Sequence, residues 1–104
     1  MEKNTLHKKK DEQFLSRHFE IQLKAMTSLV RLKILKVVSE EPRSVREISE
    51  AIGLSQPSVS SQMNILWTAG FLSKYKRGKH VYYELDRDSI RDVQDTILNY
   101  LDIK

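Results

Sequence analysis

Apolar residues recur at helical spacing in five stretches of this chain, and a strand-like segment lies between the fourth and the fifth. Phe14, Leu15, Phe19, Leu23 and Met26 predict a first helix from Asp11 to about residue 26. Asp11 and Glu12 suit its N-terminus, where the helix dipole favours negative charge. Residues 1–10, MEKNTLHKKK, are too polar to pack and are expected to form a flexible basic arm ahead of one domain over 11–104. Thr27 or Ser28 can cap a second helix. There Leu29, Leu32, Leu35 and Val38 recur in steps of three, and Ile34 and Val37 widen the stripe. Glu40-Glu41-Pro42 ends it, because proline disfavours helical backbone in the residue before it.

The next forty residues carry the clearest local signals. Ser44-Val45-Arg46-Glu47 spells a capping box, with Glu47 reaching back to the Ser44 backbone. Val45, Ile48, Ala51 and Ile52 form one face of a short third helix, and Gly53 supplies a left-handed exit. Ser55 starts a fourth helix with Pro57 in its first turn, where a missing N–H costs nothing, and Gly70 ends it. Residues 71–75 and 80–85 have strand composition and are joined by Lys76-Arg77-Gly78-Lys79. Asp86 or Asp88 caps a last helix with Ile90, Val93, Ile97 and Leu101 on one side.

The expected fold is mainly α with a small β-hairpin, and the order of its parts is that of a winged helix-turn-helix. On the fourth helix Val59, Met63 and Leu66 point to the core. Pro57, Ser60, Ser61 and Asn64 point away, with Gln56 and Ser58 at the leading end. Small hydroxyls and amides let a helix seat deeply in a major groove, and Gln or Asn can pair with adenine N6 and N7. The plain alternative is the polar solvent face of any surface helix; the capped turn before it and the basic hairpin behind it favour DNA. Because this helix carries no charge from Gln56 to Gly70, phosphate attraction must come from Lys74, Lys76, Arg77, Lys79 and the Lys8-Lys9-Lys10 run. Trp67 flanks the polar face and is expected to pack on the wing or the first helix.

Composition narrows the field further. With 104 residues there is room for one modest core, and the net charge of +4 suits a nucleic-acid partner without requiring one. Cysteine is absent, which removes disulfides, thiolate metal ligands and thiol redox chemistry. No apolar run approaches the roughly eighteen residues that span a bilayer, so no membrane partner and a cytoplasmic location are expected. All three glycines fall at turns, leaving none for a phosphate-cradling loop. The serines are explained by capping and no histidine pairs with a nucleophile, so an enzyme is not expected.

The run Leu54-Ser55-Gln56-Pro57-Ser58-Val59-Ser60, then Leu66, Ala69-Gly70-Phe71-Leu72 and Gly78-Lys79-His80-Val81-Tyr82-Tyr83, resembles the ArsR/SmtB family of bacterial repressors. Arg31-Leu32-Lys33-Ile34-Leu35 is similar to that family's second-helix signature, and the likeness spans about residues 20 to 101. The resemblance implies a homodimer through the first and last helices, on which Phe14, His18, Phe19, Val93, Ile97 and Leu101 are the expected contacts. It also implies a palindromic double-stranded DNA operator, released when an effector binds.

Neither metal site of the family is matched. Ser44 and Arg46 stand where its Cys-x-Cys pair would be. Arg87, Ser89, Tyr100 and Ile103, or one position on, Asp88, Ile90, Leu101 and Lys104, stand at its Asp-x-His…His-x-x-Glu set. His7 and His18 could share a helix face and meet Asp92, Asp95 or Asp102 across a dimer, but an arm residue and an interface-edge residue explain them more simply. No metal and no cofactor are expected. A second reading keeps the winged fold as a protein-interaction module that does not read DNA, motivated by the uncharged recognition helix and by Trp67.

Overall fold

The structure, a computed structural model, describes residues 2–104, with side chains from residue 8 onward. It contains α1 (Glu2–Phe14), α2 (Arg17–Met26), α3 (Leu29–Glu40), α4 (Val45–Ile52), α5 (Gln56–Thr68), β1 (Leu72–Arg77), β2 (His80–Leu85) and α6 (Arg87–Tyr100). The helix expected from Asp11 to residue 26 is therefore two helices. Ser16 breaks it: its extended backbone and its hydroxyl, accepting from the Phe19 N–H at 3.0 Å, make it the N-cap of α2. The basic segment read as a loose arm is helical in backbone from Glu2, as its run of Lys, Asp, Glu and Gln side chains permits. Residue 10 is thus no element boundary.

α3 is capped by Ser28, which accepts from the Arg31 N–H at 3.3 Å, while Thr27 bonds back to the Lys24 carbonyl. Its buried residues are Ile34, Leu35 and Val38. Leu29 and Leu32, expected in the same stripe, are 77% and 52% exposed. Three-residue steps cover about 300° of a helix, so each step rotates the stripe backwards and Leu29 ends opposite Val38.

The capping box forms as the sequence predicts, with the Glu47 N–H donating to Ser44 Oγ and the Ser44 N–H to Glu47 Oε1. On α4 the buried pair is Ile48 and Ser49, and Ala51 faces solvent. Gly53 takes φ 73° and closes the turn, its N–H and that of Leu54 both reaching the Ser49 carbonyl. β1 and β2 pair antiparallel from Leu72↔Leu85 to Arg77↔His80, so the turn is only Gly78-Lys79. Lys76 and Arg77, expected in the loop, belong to β1. Gly78 at φ 66° is the first central residue of that two-residue turn, where glycine suits the right-handed twist of the strands.

One core unites these parts: Phe19 and Ala25 of α2, Ile34, Leu35 and Val38 of α3, Ile48, Val59, Met63, Leu66, Phe71, Leu72 and Val93. A single-residue bridge adds a third partner to the hairpin, with Arg43 and Tyr83 exchanging backbone hydrogen bonds of 2.9 and 2.8 Å. This pins β2 to the segment that enters α4. At the other end α1 lies on the tail of α6. There Tyr100 donates to Asp11 at 2.5 Å, Phe14 meets the Tyr100 ring edge-on, and Lys10 pairs with Asp102. The Asp11 carboxylate, by accepting that bond, holds the Tyr100 phenol above its usual range.

Candidate nucleic-acid interface

α5 presents the expected amphipathic split. Val59, Met63 and Leu66 are fully buried, whereas Gln56, Pro57, Ser60, Ser61 and Asn64 are exposed. Ser55 caps the helix by accepting from the Ser58 N–H. Its hydroxyl also donates to Ser58 Oγ at 2.9 Å, so Ser58 is engaged at the cap and is the least available of the predicted contacts. Thr68, one turn beyond Asn64, is exposed on the same face and extends it. The sequence reading missed Thr68, although helical periodicity was enough to find it.

Beside this face stands the wing. Strand alternation and the register divide its side chains into two sets. Leu72, Lys74, Lys76, Val81, Tyr83 and Leu85 share the face that carries the buried Leu72. Ser73, Tyr75, Arg77, His80, Tyr82 and Glu84 share the other, on which Tyr75 and Tyr82 stack with ring centroids 6.0 Å apart. Trp67 meets the wing as expected: the Lys74 ammonium sits 4.3 Å from the indole centroid. That contact is a cation–π interaction which fixes the wing to the end of α5. Lys76, Arg77 and Lys79 are all exposed toward the tip of the wing.

Between α4 and β2 runs an open cleft of 610 Å³, lined by Ser44, Arg46, Glu47, Glu50, Gln56 and residues 79–83. Gln56 therefore lies at the junction of recognition helix and wing. Glu47 in this cleft has its carboxyl held below the usual range, chiefly by the Ser44 N–H it accepts; burial opposes this, and Arg43 and His80 add attraction.

The expected dimer contacts divide. Phe19 and Val93 belong to the protomer's own core, Val93 as the floor of a surface groove, and Phe14 is half-buried on Tyr100. His18, Ile97 and Leu101 are exposed. Two adjoining apolar hollows of 430 and 460 Å³ share Met26 and Ile90. Leu32, Leu35 and Leu85 line one, and Ile97 and Leu98 line the other. Apart from Val93 and Ile97, none of these apolar lining residues was among the expected dimer contacts, because only the folded chain brings α2, α3, β2 and α6 to one surface.

Among the described residues no group of three or more His, Asp or Glu gathers to hold a metal ion. Asp102 is engaged by Lys10, and the side chain of His7 lies outside the described residues. No helix among the described residues is long and apolar enough to cross a membrane.

Comparison with known proteins gives this geometry a lineage. The profile of the bacterial regulatory protein, arsR family, matches residues 29–74, which span α3 to the start of the wing. The transcriptional repressor SdpR of Bacillus subtilis is 31% identical over 78 residues, covering 75% of this chain and 87% of that protein. The HTH-type transcriptional repressor SmtB of Mycobacterium tuberculosis is 35% identical over 63 residues, which are 61% of this chain and 47% of that longer relative. In fold, the homodimeric winged helix-turn-helix DNA-binding domain Mb0332 of Mycobacterium bovis superposes with a TM-score of 0.71 at 22% identity, over 85% of this chain and 82% of that one. A relative above 30% identity, of which this chain covers 87%, together with the family profile over residues 29–74, shows that this chain belongs to the arsR family of bacterial regulatory proteins.

Proposed function

We propose that the protein is a sequence-specific DNA-binding transcriptional repressor, working in the cytoplasm as a homodimer on a palindromic operator that it leaves when an effector binds. One observation carries the reading: α5 offers an exposed, charge-free face of Pro57, Ser60, Ser61, Asn64 and Thr68 beside a wing that carries Lys76, Arg77 and Lys79. The first suits base edges in a major groove and the second suits phosphates, the usual division between specifying and positioning contacts. A two-fold dimer sets two such helices about 34 Å apart, one turn of DNA. The apolar groove between α3 and α6 supports the dimer, with Val93 and Ile97 of the predicted set in its lining. The chain is a regulator, not an enzyme, in keeping with its family. Trp67, which motivated a protein-interaction reading, already has Lys74 over its ring.

The test is fluorescence anisotropy on the duplex just upstream of its own gene, beside a scrambled duplex, at about 150 mM salt. A preference of roughly a thousandfold is expected of a specific reader. Gln56→Ala and Ser60→Ala should shrink that preference. If a selection from random duplexes also returns no preferred sequence, the reading is wrong.

A further inference from the structure

Arg31 sits at the start of α3 and touches neither the reading face nor the wing, yet its guanidinium joins three helices. Its Nε donates to the Ala25 carbonyl at 2.7 Å and its Nη2 to the Lys24 carbonyl at 3.2 Å, both in the last turn of α2. Its Nη1 donates to Gln62 Oε1 of α5 at 2.7 Å. Its own backbone N–H is taken by the Ser28 cap. The Lys24 carbonyl is already taken by Thr27, but the Ala25 carbonyl, in the last turn, lacks a helical partner, and a cation there also meets the negative end of the dipole, so the bonds to α2 have a structural reason. The bond to Gln62 has no such reason. A guanidinium only donates, so the Gln62 amide must turn its oxygen inward, and its orientation is set by Arg31.

Gln62 lies five residues after Pro57 and two before Asn64, about 140° and 200° around the helix, which puts it nearly opposite the reading face. The buried residues of α5 are otherwise apolar (Val59, Met63, Leu66), and the force that buries them is non-directional. A charge-assisted bond with a planar, directional donor supplies the missing constraint. We propose that Arg31 is a positioning residue for DNA reading: through Gln62 it locks the rotation of α5 against α2, the element that carries Met26 to the apolar groove. Base selectivity then depends on a side chain that never reaches DNA. The inference rests on the DNA-reading function proposed above.

The test compares Arg31→Met, Gln62→Met, the double variant and Gln62→Glu, measuring binding to selected and scrambled duplexes together with hydrogen exchange of the α5 amides. Gln62→Met leaves both Arg31 bonds to α2 in place, so it stays informative if Arg31→Met folds poorly. Each Met variant should lose roughly tenfold in the ratio of selected to scrambled affinity, within the range of site-to-site couplings. Binding to scrambled DNA should stay unchanged, and the double variant should be no worse than Arg31→Met. Gln62→Glu, which keeps the acceptor and adds charge, should retain the wild-type ratio. A fall in melting temperature with the ratio intact would make Arg31 merely structural and overturn the proposal. Should the wild type itself show no preference, the DNA-reading function fails separately. Exchange then decides: faster α5 exchange in Gln62→Met upholds the lock, and unchanged exchange removes it.

Discussion

Between Ser44 and Glu47 two reciprocal hydrogen bonds close the N-terminus of α4, and one consequence is electrostatic. The Ser44 N–H stabilises the ionised Glu47 carboxylate, so its folded value lies below the unfolded one. A lowered carboxyl contributes stability above its unfolded value, near 4.3, and that stability is lost as pH falls through the folded value. Glu47→Gln keeps a bonding partner without the charge. Its urea midpoint should therefore fall less than that of the wild type between pH 7 and pH 3.5, and equal falls would remove Glu47 from the acid response. Ser44→Ala, which loses the other half of the box, should cost about 1 kcal/mol at neutral pH by the same unfolding measurement. Both residues were legible in the sequence because a capping box is a local motif whose partners are three residues apart. The Arg31–Gln62 bond was not legible, since 31 residues separate its partners and nothing in either neighbourhood announces the other.

At the scale of elements, the wing shows how a strand register changes a prediction. The sequence places Lys76 and Arg77 in one basic loop, but pairing as far as Arg77↔His80 draws both into β1 and points them to opposite faces. Lys74 and Lys76 share the face that meets Trp67, and Lys74 is already held over the indole. The phosphate contacts proposed for the wing are therefore assigned to Lys76, Arg77 and Lys79, exposed at its free end. Arg77→Ala should weaken binding to all duplexes alike and reduce the slope of log K against log salt by about one. A variant whose slope matches the wild type would take Arg77 off the phosphates. Trp67→Ala, by contrast, should free Lys74 and loosen the wing, seen as faster hydrogen exchange in β1 with the α5 amides unaffected. The split at Ser16 is the converse case. Phe14, Leu15, Phe19, Leu23 and Met26 continue across it without a break in apolar period, so only the cap geometry exposes the boundary.

For the molecule as a whole, the chain is spread thin. Its radius of gyration is 16.5 Å, against about 13 Å for a globule of this length. Leu23, Leu32, Ile97, Leu101 and Ile103 remain exposed, and the hollows between α3 and α6 stay open. A second copy is the occupant proposed for that surface, because two-fold pairing brings the same apolar patch against itself. Ile97→Asp and Leu32→Asp change exposed positions and should leave the protomer folded. Each should shift sedimentation from dimer to monomer at micromolar concentration and weaken binding to a two-half-site duplex far more than to a single half-site. A wild type that sediments as a monomer would dispose of the dimer.

Features that depend on neighbours within a few residues were largely legible along the chain, the Ser16 cap excepted. The caps at Ser44 and Ser55, the turns at Gly53, Gly70 and Gly78, and the inward row of Val59, Met63 and Leu66 all follow from local spacing, whereas Ser28 over Thr27 and Asp86 over Asp88 were chosen by the folded backbone. The order of these elements, with the likeness to the arsR family, was enough for the winged fold and for the polar face of α5. The packed fold settled which side of α3 is buried, since Leu29 and Leu32 are as apolar as Leu35 and differ from it only in what packs against them. It likewise decided that Phe19 and Val93 serve the protomer's own core, that Arg43 bridges to Tyr83, and that Arg31 reaches Gln62. The physical reason is common to all of these. Caps and turns are satisfied by the nearest backbone groups, whereas burial and long-range pairing depend on which surfaces meet once the chain has closed.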